Sequence, residues 1–338
     1  MPALKLNVQV ERLEFSAQFR IAGFLFEHQD AVVVTVDDGR HLGRGEACGV
    51  YYLNDNVEQM VAALEAHRAT IESGIERAAL QRLLPAGGAR NALDCALWEL
   101  EARRTAQAVW ALAGLDPPRP LVTTFTLGAD EPQVMAEGAR KWAAAQALKV
   151  KLTGDRELDI ARVKAVREAR PHVWLGVDAN QGYRVSNLGL LIHALIDANV
   201  AQLEQPVARG EEAGLEDFDS PIPLVADESA LGLADLAGLV GRFDMVNIKL
   251  DKCGGLTEGL AMAREARRLG LGLMVGNMMG SSLAMGPSFI VGQLCDVVDL
   301  DGPTFLKRDR TPGVTYSDGL IWVDEAVWGR APLSTRSR

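Results

Sequence analysis

The stretch Leu148-Lys149-Val150-Lys151-Leu152 is a short apolar run that carries two cations, and comparable apolar runs recur on both sides of it. Amphipathic stretches such as 158–169 and 258–269 separate the runs. This alternation predicts parallel strands joined by crossover helices, and eight units in roughly 200 residues predict a (β/α)8-type TIM barrel. The eight runs are 121–127, 148–152, 173–177, 200–203, 224–226, 245–248, 271–275 and 297–300.

The front of the chain has a different pattern. Residues 6–10 alternate between apolar and polar side chains, residues 31–36 are mainly apolar, and 37–39 form an Asp-Asp-Gly turn signal. These features predict an antiparallel sheet. Helical periodicity follows over 57–66 and 89–103. The front of the chain is therefore predicted to be an α+β domain.

The run Pro117-Pro118-Arg119-Pro120 is the strongest boundary signal in the sequence. We predict an α/β fold with two domains divided at this point. The N-terminal α+β domain takes 1–116, and a C-terminal segment, 313–333, returns to it. The barrel domain takes 117–312, and 334–338 is predicted to be a frayed tail.

The charge balance argues against a nucleic-acid partner. The 338 residues contain 35 lysines and arginines against 45 aspartates and glutamates, a net charge of −10. Neutralising phosphates requires clustered cations, which such a balance disfavours. The four cysteines form no CxxC motif, which is typical of a reduced, cytoplasmic protein.

Residues 269–295 carry no charged side chain and are long enough to span a bilayer. The window contains six glycines, three serines and Pro287, however. A buried strand, a turn and a buried helix fit this composition better than a lipid-facing helix. We therefore predict no membrane partner.

Polar residues stand at the C-terminal ends of the predicted strands, where barrel active sites are built. From Lys149 through Asp178, Glu204 and Asp227 to Lys249, successive spacings are 29, 26, 23 and 22 residues. Each spacing is close to one βα unit. The five side chains are therefore predicted to reach the same rim of the barrel.

Asp178, Glu204 and Asp227 place three carboxylates on adjacent strands. They repel one another unless a cation lies between them, and oxygen ligands without His or Cys favour Mg²⁺ or Mn²⁺ over zinc. The competing interpretation is that each carboxylate caps the helix that follows it. The same ending on three consecutive strands favours the metal site.

Lys149 and Lys151 are two residues apart, so both point to the same side of a strand. Lys249 follows the sixth strand, nearly across the barrel. Two lysines that face each other over a metal suit proton removal from one face of a carbon and return to the other face. The alternative is a network of salt bridges with the carboxylates.

Taken together, these motifs resemble the enolase superfamily, muconate-lactonizing subgroup. Residues 299–303, Asp-Leu-Asp-Gly-Pro, are similar to the eighth strand of its dipeptide epimerases, and 89–98 resembles a helix of their N-terminal capping domain. The motifs that carry the resemblance read KVK at 149–151, DANQ at 178–181, EQP at 204–206, DES at 227–229 and NIKLDKCGG at 247–255.

The resemblance implies a Mg²⁺-dependent dipeptide epimerase that inverts the α-carbon of the C-terminal residue X of an L-Ala-L-X-type dipeptide. Two lysines would transfer the proton by way of an enediolate. The implied acid/base pair is Lys151 and Lys249. The implied metal ligands are Asp178, Glu204 and Asp227.

The resemblance also implies where the dipeptide binds. Asp299 and Asp301 would receive its α-ammonium group. Lys149 would contact its carboxylate and keep the pKa of Lys151 low. The remaining residues implied to line the dipeptide are Thr126, Asn277 and Met279.

One segment departs from the pattern of the L-Ala-D/L-Glu epimerases. Their N-terminal domain has a mobile loop that carries an arginine for the substrate's side-chain carboxylate, and here Gly23 takes the aligned position. Phe24 and Phe26 follow it, so we predict that X is apolar and that these residues contact it. A second wall would come from 51–53. The direction of the Arg20 side chain stays open.

Three other activities of the superfamily share the lysines and the metal site. They are N-acylamino acid racemase, o-succinylbenzoate synthase and muconate cycloisomerase, whose substrates leave an Asp-x-Asp pair with no ammonium group to bind. A more remote alternative is a non-catalytic barrel that binds metal and ligand. Family resemblance also implies a homo-oligomer.

Overall fold

The molecule is built around an eight-stranded parallel sheet whose order, β12-β11-β10-β9-β8-β7-β6-β5, follows the chain and curls into a nearly closed barrel. The computed structural model describes residues 3–21, 23–216 and 218–331. The predicted fold class is confirmed.

The strands are β1 Lys5–Ile21, β2 Phe24–Asp37, β3 Leu42–Ala47, β4 Leu121–Val122, β5 Thr124–Leu127, β6 Ala147–Lys151, β7 Trp174–Asp178, β8 Gln202–Glu204, β9 Leu224–Ala226, β10 Met245–Ile248, β11 Gly272–Val275, β12 Val297–Val298, β13 Thr315–Ser317 and β14 Leu320–Trp322. The α-helices are α1 Val57–Ala66, α2 Arg68–Glu72, α3 Arg77–Leu83, α4 Gly88–Thr105, α5 Val109–Leu112, α6 Pro132–Lys141, α7 Arg156–Ala169, α8 Val185–Asp197, α9 Leu236–Leu239, α10 Leu250–Cys253, α11 Leu256–Arg268 and α12 Ser282–Gly292.

The barrel strands are buried on both faces, as expected of parallel strands covered by helices. In β6 the apolar residues Leu148 and Val150 belong to the barrel's main hydrophobic core. Lys149 and Lys151 alternate with them and are also buried. Alternation along β6 thus places its apolar residues on one face of the strand and its two lysines on the other.

The first predicted run, 121–127, contains two strands rather than one. Leu121–Val122 pairs antiparallel with Leu320–Trp322, and only Thr124–Leu127 enters the barrel. Thr123 lies between them, and its backbone N–H donates to the Gly319 carbonyl at 3.1 Å. The apolar pattern of the sequence continues across Thr123. The pattern therefore gives no sign that the chain changes its partner strand at this residue.

Side-chain hydrogen bonds join the two ends of the barrel sheet, β5 and β12. The Leu300 amide donates to Thr123 Oγ1 at 3.0 Å, and the Thr126 amide donates to Asp301 Oδ2 at 2.6 Å. These bonds place the Asp-x-Asp segment directly beside β5. The closure of the barrel therefore also fixes part of the candidate site.

The N-terminal domain has an antiparallel sheet of order β1-β2-β3, against which α4 packs closely. Gly43 and Gly45 of β3 make this approach possible, since a Cβ on either residue would lie 2.0 Å from a carbonyl oxygen of α4. A separate hydrophobic core forms between this sheet and the helices. The sheet predicted for the front of the chain is present.

The described part of the C-terminal segment contacts both halves of the molecule. Its hairpin, β13–β14, pairs with β4, and Arg44 then donates to the Val327 carbonyl at 2.7 Å. The boundary between 116 and 117 stays a prediction. Residues 1, 2, 332 and 333 of the predicted N-terminal domain and its return segment, and the predicted tail 334–338, lie outside the described residues.

The uncharged window 269–295 forms strand β11, a turn and helix α12. Both elements are largely buried, as the composition predicts. Among the described residues, no helix is long and apolar enough to cross a membrane.

Candidate active site

A cavity opens at the C-terminal ends of the barrel strands, beneath the N-terminal domain. This face of a barrel is where small-molecule ligands bind. The strand ends supply its charged floor, and the N-terminal domain supplies an apolar wall. Its charged lining residues are Lys149, Lys151, Lys249, Asp227, Glu228, Asp299 and Asp301.

The predicted carboxylate triad comes together at the floor of this cavity. Asp178, Glu204 and Asp227 are buried, and one oxygen of each lies within 4.8 Å of the others. Burial and the charge of Asp178 raise the pKa of Glu204 above its usual range. Among the described residues, these three form the group able to hold a metal ion.

Two further observations support a cation at the triad. Asn180 Oδ1 and Glu228 Oε2 are buried at this site and accept no hydrogen bond from the described residues. The backbone of Asn180, two residues after Asp178, and of Gln205, directly after Glu204, is left-handed (φ 42° and 36°), a conformation that costs energy. Such features concentrate at binding sites.

The balance of buried charge is also informative. The described residues at the barrel mouth include six buried carboxylates, Asp178, Glu204, Asp227, Glu228, Asp299 and Asp301, and four buried lysines, Lys149, Lys151, Lys249 and Lys252. Burial and neighbouring carboxylates raise the pKa of Glu204 and of Glu228, which shows that the carboxylates at this site are crowded. A divalent cation would relieve that repulsion, and the oxygen ligands fit Mg²⁺.

The predicted acid/base lysines lie at two sides of the triad. Lys151 Nζ is 2.6 Å from Asp178 Oδ2, and Lys249 Nζ is 2.7 Å from Asp227 Oδ2. Three strands separate β6, which carries Lys151, from β10, which leads to Lys249. Although burial opposes it, the charges of Asp227 and Glu204 raise the pKa of Lys249. A cation at the triad would weaken this attraction and free the amine to act as a base.

Lys149 lies between the triad and the eighth strand. Its Nζ is 2.7 Å from Glu204 Oε2 and 2.8 Å from Asp299 Oδ2. Although burial opposes it, the charges of Asp299 and Glu204 raise its pKa. Lys149 is therefore a fixed cation beside Lys151.

Asp299 and Asp301 line the cavity just after β12, where the barrel sheet meets β5. Thr124 Oγ1 donates to Asp299 Oδ1 at 2.5 Å, and burial and the charge of Asp299 raise the pKa of Asp301 above its usual range. Adjacent buried carboxylates attract a cationic group. Thr126, Asn277 and Met279 also line the cavity, and their contact with a dipeptide stays a prediction.

The predicted specificity residues Gly23, Phe24 and Phe26 belong to the β1–β2 hairpin, with Gly23 at its turn (φ 75°). Gly23, Phe24 and Phe26 do not line the cavity. The two phenylalanines pack on the outer side of Tyr51, with ring centroids 4.5 and 5.4 Å away. Because the hairpin turn places both phenylalanines beyond the cavity, they contact Tyr51 of the apolar wall and not the cavity itself.

The preceding strand forms the wall instead. Phe19 and Ile21 are buried and line the cavity, whereas Arg20 between them is exposed on the other face. Phe19 packs against Phe305 with ring centroids 4.7 Å apart. Of the predicted second wall, 51–53, Tyr51 and Tyr52 line the cavity.

Sequence reasoning missed several lining residues. Phe19 and Ile21 carried a signal, since they alternate around Arg20 in an apolar–polar pattern. Phe305 had none, because it reaches the cavity from the short 3-10 helix Gly302–Phe305 that follows the last barrel strand. Asn180 and Glu228 were visible only as neighbours of metal ligands.

Lys252 was also missed, and it does not reach the cavity. Its Nζ donates to Asp227 Oδ1 at 2.6 Å and to the Asn247 carbonyl at 3.0 Å. Asn247 Nδ2 in turn donates to Glu204 Oε1 at 2.7 Å. This second layer holds two triad carboxylates in place.

Comparison with known families agrees with this geometry. Residues 134–326 match the family described as enolase C-terminal domain-like, and 8–114 match the mandelate racemase / muconate lactonizing enzyme N-terminal domain. The chain belongs to the enolase superfamily. The family predicted from the sequence motifs is thereby confirmed.

Curated members of the enolase superfamily resemble this chain over most of its length. L-Ala-D/L-Glu epimerase of Escherichia coli is 41% identical and covers 86% of this chain and 90% of its own. N-acetyl-D-glutamate racemase of Pseudoalteromonas sp is 37% identical (90% and 97%), and hydrophobic dipeptide epimerase of Roseobacter litoralis is 33% identical (94% and 95%). Epimerases and racemases are isomerases, which confirms the predicted enzyme class.

Solved structures of the enolase superfamily share the whole fold. A member from Agrobacterium tumefaciens with homology to dipeptide epimerases, bound to sodium and L-Ala-L-Glu, has a TM-score of 0.93 and 38% identity, covering 96% of this chain and all of its own. A dipeptide epimerase from Enterococcus faecalis, complexed with Mg and L-Leu-L-Tyr, has a TM-score of 0.88 and 28% identity, covering 96% and 98%.

Proposed function

We propose that this chain is a Mg²⁺-dependent dipeptide epimerase that inverts the α-carbon of the C-terminal residue X of an L-Ala-L-X-type dipeptide. The observation that carries the proposal is the arrangement of Lys151 and Lys249 on two sides of the carboxylate triad. The names of the relatives support it. So does the E. faecalis structure, in which Mg and a dipeptide are bound together.

Each lysine serves one face of the α-carbon. The amine of one lysine removes the α-proton, which leaves a planar enediolate, and the ammonium of the other returns a proton to the opposite face. Lys149 provides a fixed positive charge for the substrate carboxylate. Asp299 and Asp301 bind the α-ammonium group and so hold the α-carbon between the lysines.

Asp178, Glu204 and Asp227 would hold Mg²⁺. When bound, the ion supplies positive charge that favours ionisation at the α-carbon of a carboxylate substrate. The buried N-terminal wall excludes water from the reacting carbon.

The wall also indicates an apolar X. Phe19, Ile21, Tyr51 and Phe305 supply apolar surface, and none of the described lining residues is an arginine. Arg20 lies on the outer face of the hairpin. A glutamate side chain bound here would lose its hydration without gaining a cationic partner, which costs about 1–3 kcal/mol or more.

Deuterium uptake tests the proposal and the preference for X. In D₂O with Mg²⁺, the enzyme is expected to incorporate one deuterium into L-Ala-L-Leu or L-Ala-L-Phe, with kcat/KM about 10- to 100-fold higher than for L-Ala-L-Glu, because the glutamate carboxylate is desolvated without a partner. Mass spectrometry measures the uptake. Faster uptake into L-Ala-L-Glu would contradict the apolar preference, and uptake into no dipeptide would contradict the epimerase proposal.

The second candidate is an N-acylamino acid racemase, favoured by the similarity to N-acetyl-D-glutamate racemase. Its substrates have no ammonium group. Asp299 and Asp301 would then keep two adjacent buried carboxylates without a cationic ligand. We therefore rank this activity second, and o-succinylbenzoate synthase and muconate cycloisomerase behind it on the same ground.

Asp301→Asn separates the two activities. For a dipeptide with a free amino terminus, the variant is expected to raise KM about tenfold or more with little change in kcat, because an ion pair to the ammonium group is lost. An N-acylated substrate would show no such change. Steady-state kinetics on both substrates measures this, with Asp318→Asn as the control on an exposed aspartate. An unchanged KM for the dipeptide would remove the role given to Asp301.

We also propose that the enzyme is cytoplasmic and homo-oligomeric and binds no nucleic acid. The acidic net charge argues against binding to nucleic acid, and the free state of all four cysteines fits a cytoplasmic protein. The homo-oligomer rests on the family resemblance. The two domains are proposed to be 1–116 with 313–333, and 117–312. Light scattering of the purified protein tests the oligomeric state, and a single-chain mass would contradict it.

A further inference from the structure

Helix α4 of the N-terminal domain contacts the segment 249–257, which follows barrel strand β10. Arg90 of α4 is only 5% exposed. Its Nη2 donates to the Cys253 carbonyl at 2.6 Å, and its Nε donates to the Gly254 carbonyl at 3.2 Å. It also forms an ion pair with Glu258. One guanidinium therefore binds the backbone of the segment at two consecutive residues.

The backbone of the segment is shaped to this contact. Gly254 and Gly255 have φ values of 82° and 115°, a region that favours glycine. A Cβ on Gly254 would lie 2.3 Å from Arg90 Nε, and a Cβ on Gly255 would lie 2.6 Å from Asp94 Cβ. Both glycines thus permit the approach of α4. Their pairing in the sequence is explained by this contact.

The segment also carries the proposed base Lys249. Helix α10 begins directly after Lys249, and the amides of Lys252 and Cys253 donate to the Lys249 carbonyl at 3.0 and 3.1 Å. At the other end of this single turn, Arg90 holds the carbonyls of Cys253 and Gly254. The turn therefore connects the backbone of Lys249 rigidly to Arg90.

Lys151 is anchored differently. The residue after it, Leu152, donates to the Asp178 carbonyl at 2.8 Å, and the Thr153 amide donates to Asp159 of α7 at 3.0 Å. These partners belong to the barrel itself. The two lysines thus differ in which part of the molecule fixes their backbone.

We propose that Arg90 is a positioning residue for Lys249, so that the N-terminal domain sets the geometry of proton transfer on one face of the α-carbon. The inference rests on the proposed function for its kinetic consequence. Loss of Arg90 displaces Lys249 and leaves Lys151 in place. The rate of proton abstraction then falls for one diastereomer of the dipeptide and not for the other.

The test uses the initial rates of deuterium uptake into the L,L and L,D dipeptides, with Lys249→Met identifying the diastereomer that depends on Lys249. Arg90→Met is expected to lower uptake into that diastereomer about tenfold or more, with less than about threefold change in the other. Arg90→Lys, which keeps a cationic donor group, is expected to change the ratio of the two uptake rates in the same direction, but by less. An unchanged ratio in both variants overturns the inference.

Arg103→Met is the matched control. Arg103 lies on the same helix and donates to a backbone carbonyl, that of Gly329, at 3.1 Å. Its partners Leu42, Glu99 and Gly329 lie outside segment 249–257, so Arg103→Met removes a buried guanidinium of α4 without touching that segment. A general loosening of the N-terminal domain would therefore affect both variants alike. The expected result is that Arg103→Met leaves the ratio of the two uptake rates unchanged, and an equal shift in both variants would contradict the role of Arg90.

A second measurement is independent of the substrate. Hydrogen–deuterium exchange of the backbone amides in peptide 249–257 is expected to rise in Arg90→Met and to stay at the parent rate in Arg103→Met. If the parent enzyme incorporated deuterium into no dipeptide, the proposed function would be wrong. This measurement would still test whether Arg90 stabilises the backbone of 249–257. Unchanged protection in Arg90→Met would overturn the inference.

Discussion

Lys249→Met is expected to reduce epimerisation by about 10⁴-fold, because one face of the α-carbon loses its only proton carrier. Deuterium uptake should nevertheless continue for one diastereomer, with retention of configuration. For that diastereomer Lys151 both removes the α-proton and returns deuterium from its own exchanging ammonium group. Chiral chromatography and mass spectrometry, run on both diastereomers, separate epimerisation from exchange.

Lys151→Met should give the mirror-image result, with uptake confined to the other diastereomer. Lys164→Met, at an exposed lysine of α7, is the control for loss of a lysine as such. Uptake into both diastereomers in either active-site variant would show that the lysines do not each serve one face. The stereochemical pattern is therefore a stricter test than loss of rate.

Glu204→Gln is expected to weaken Mg²⁺ binding by about 100-fold or more, because one of three charged oxygen ligands becomes neutral. The parent protein should unfold at a higher temperature with Mg²⁺ than with a chelator, since a ligand that binds only the folded state stabilises it. In the variant this difference should disappear. Without Mg²⁺ the variant should be no less stable than the parent, because the change relieves repulsion among buried carboxylates.

Isothermal titration and thermal unfolding measure the two effects, with Glu137→Gln on an exposed position of α6 as the control. Uptake of deuterium should fall in Glu204→Gln for both diastereomers, in contrast to the lysine variants. Parent-like Mg²⁺ affinity in Glu204→Gln would remove the triad from the metal site.

The floor of the site was predictable because it depends on local periodicity. Each strand ends in a charged residue after an apolar run, and parallel strands in one barrel bring their ends to one rim. Asp178, Glu204 and Asp227 could therefore be placed together before their distances were known. The same reasoning oriented Lys149 and Lys151, since alternation along one strand needs no partner.

The wall was not predictable in the same way. Whether Arg20 or its neighbours Phe19 and Ile21 face the cavity depends on how β1 pairs with β2, and this pairing shifts register between Glu14 and Phe19. Such a shift is a non-local property. The contact of Arg90 with Gly254 was hidden for a similar reason, because 164 residues separate them in the sequence.

The register shift in β1 has an evolutionary consequence. The four residues between Glu14 and Phe19 are not paired with β2, and Phe15 pairs with Leu306 instead, so a change in length falls most readily at 16–18. Deletion or insertion of a single codon there would exchange the two faces of the strand end and turn Arg20 inward in place of Phe19 and Ile21. The length of the hairpin would then determine whether the enzyme prefers a substrate with an acidic or an apolar side chain. The barrel and its lysines would not need to change.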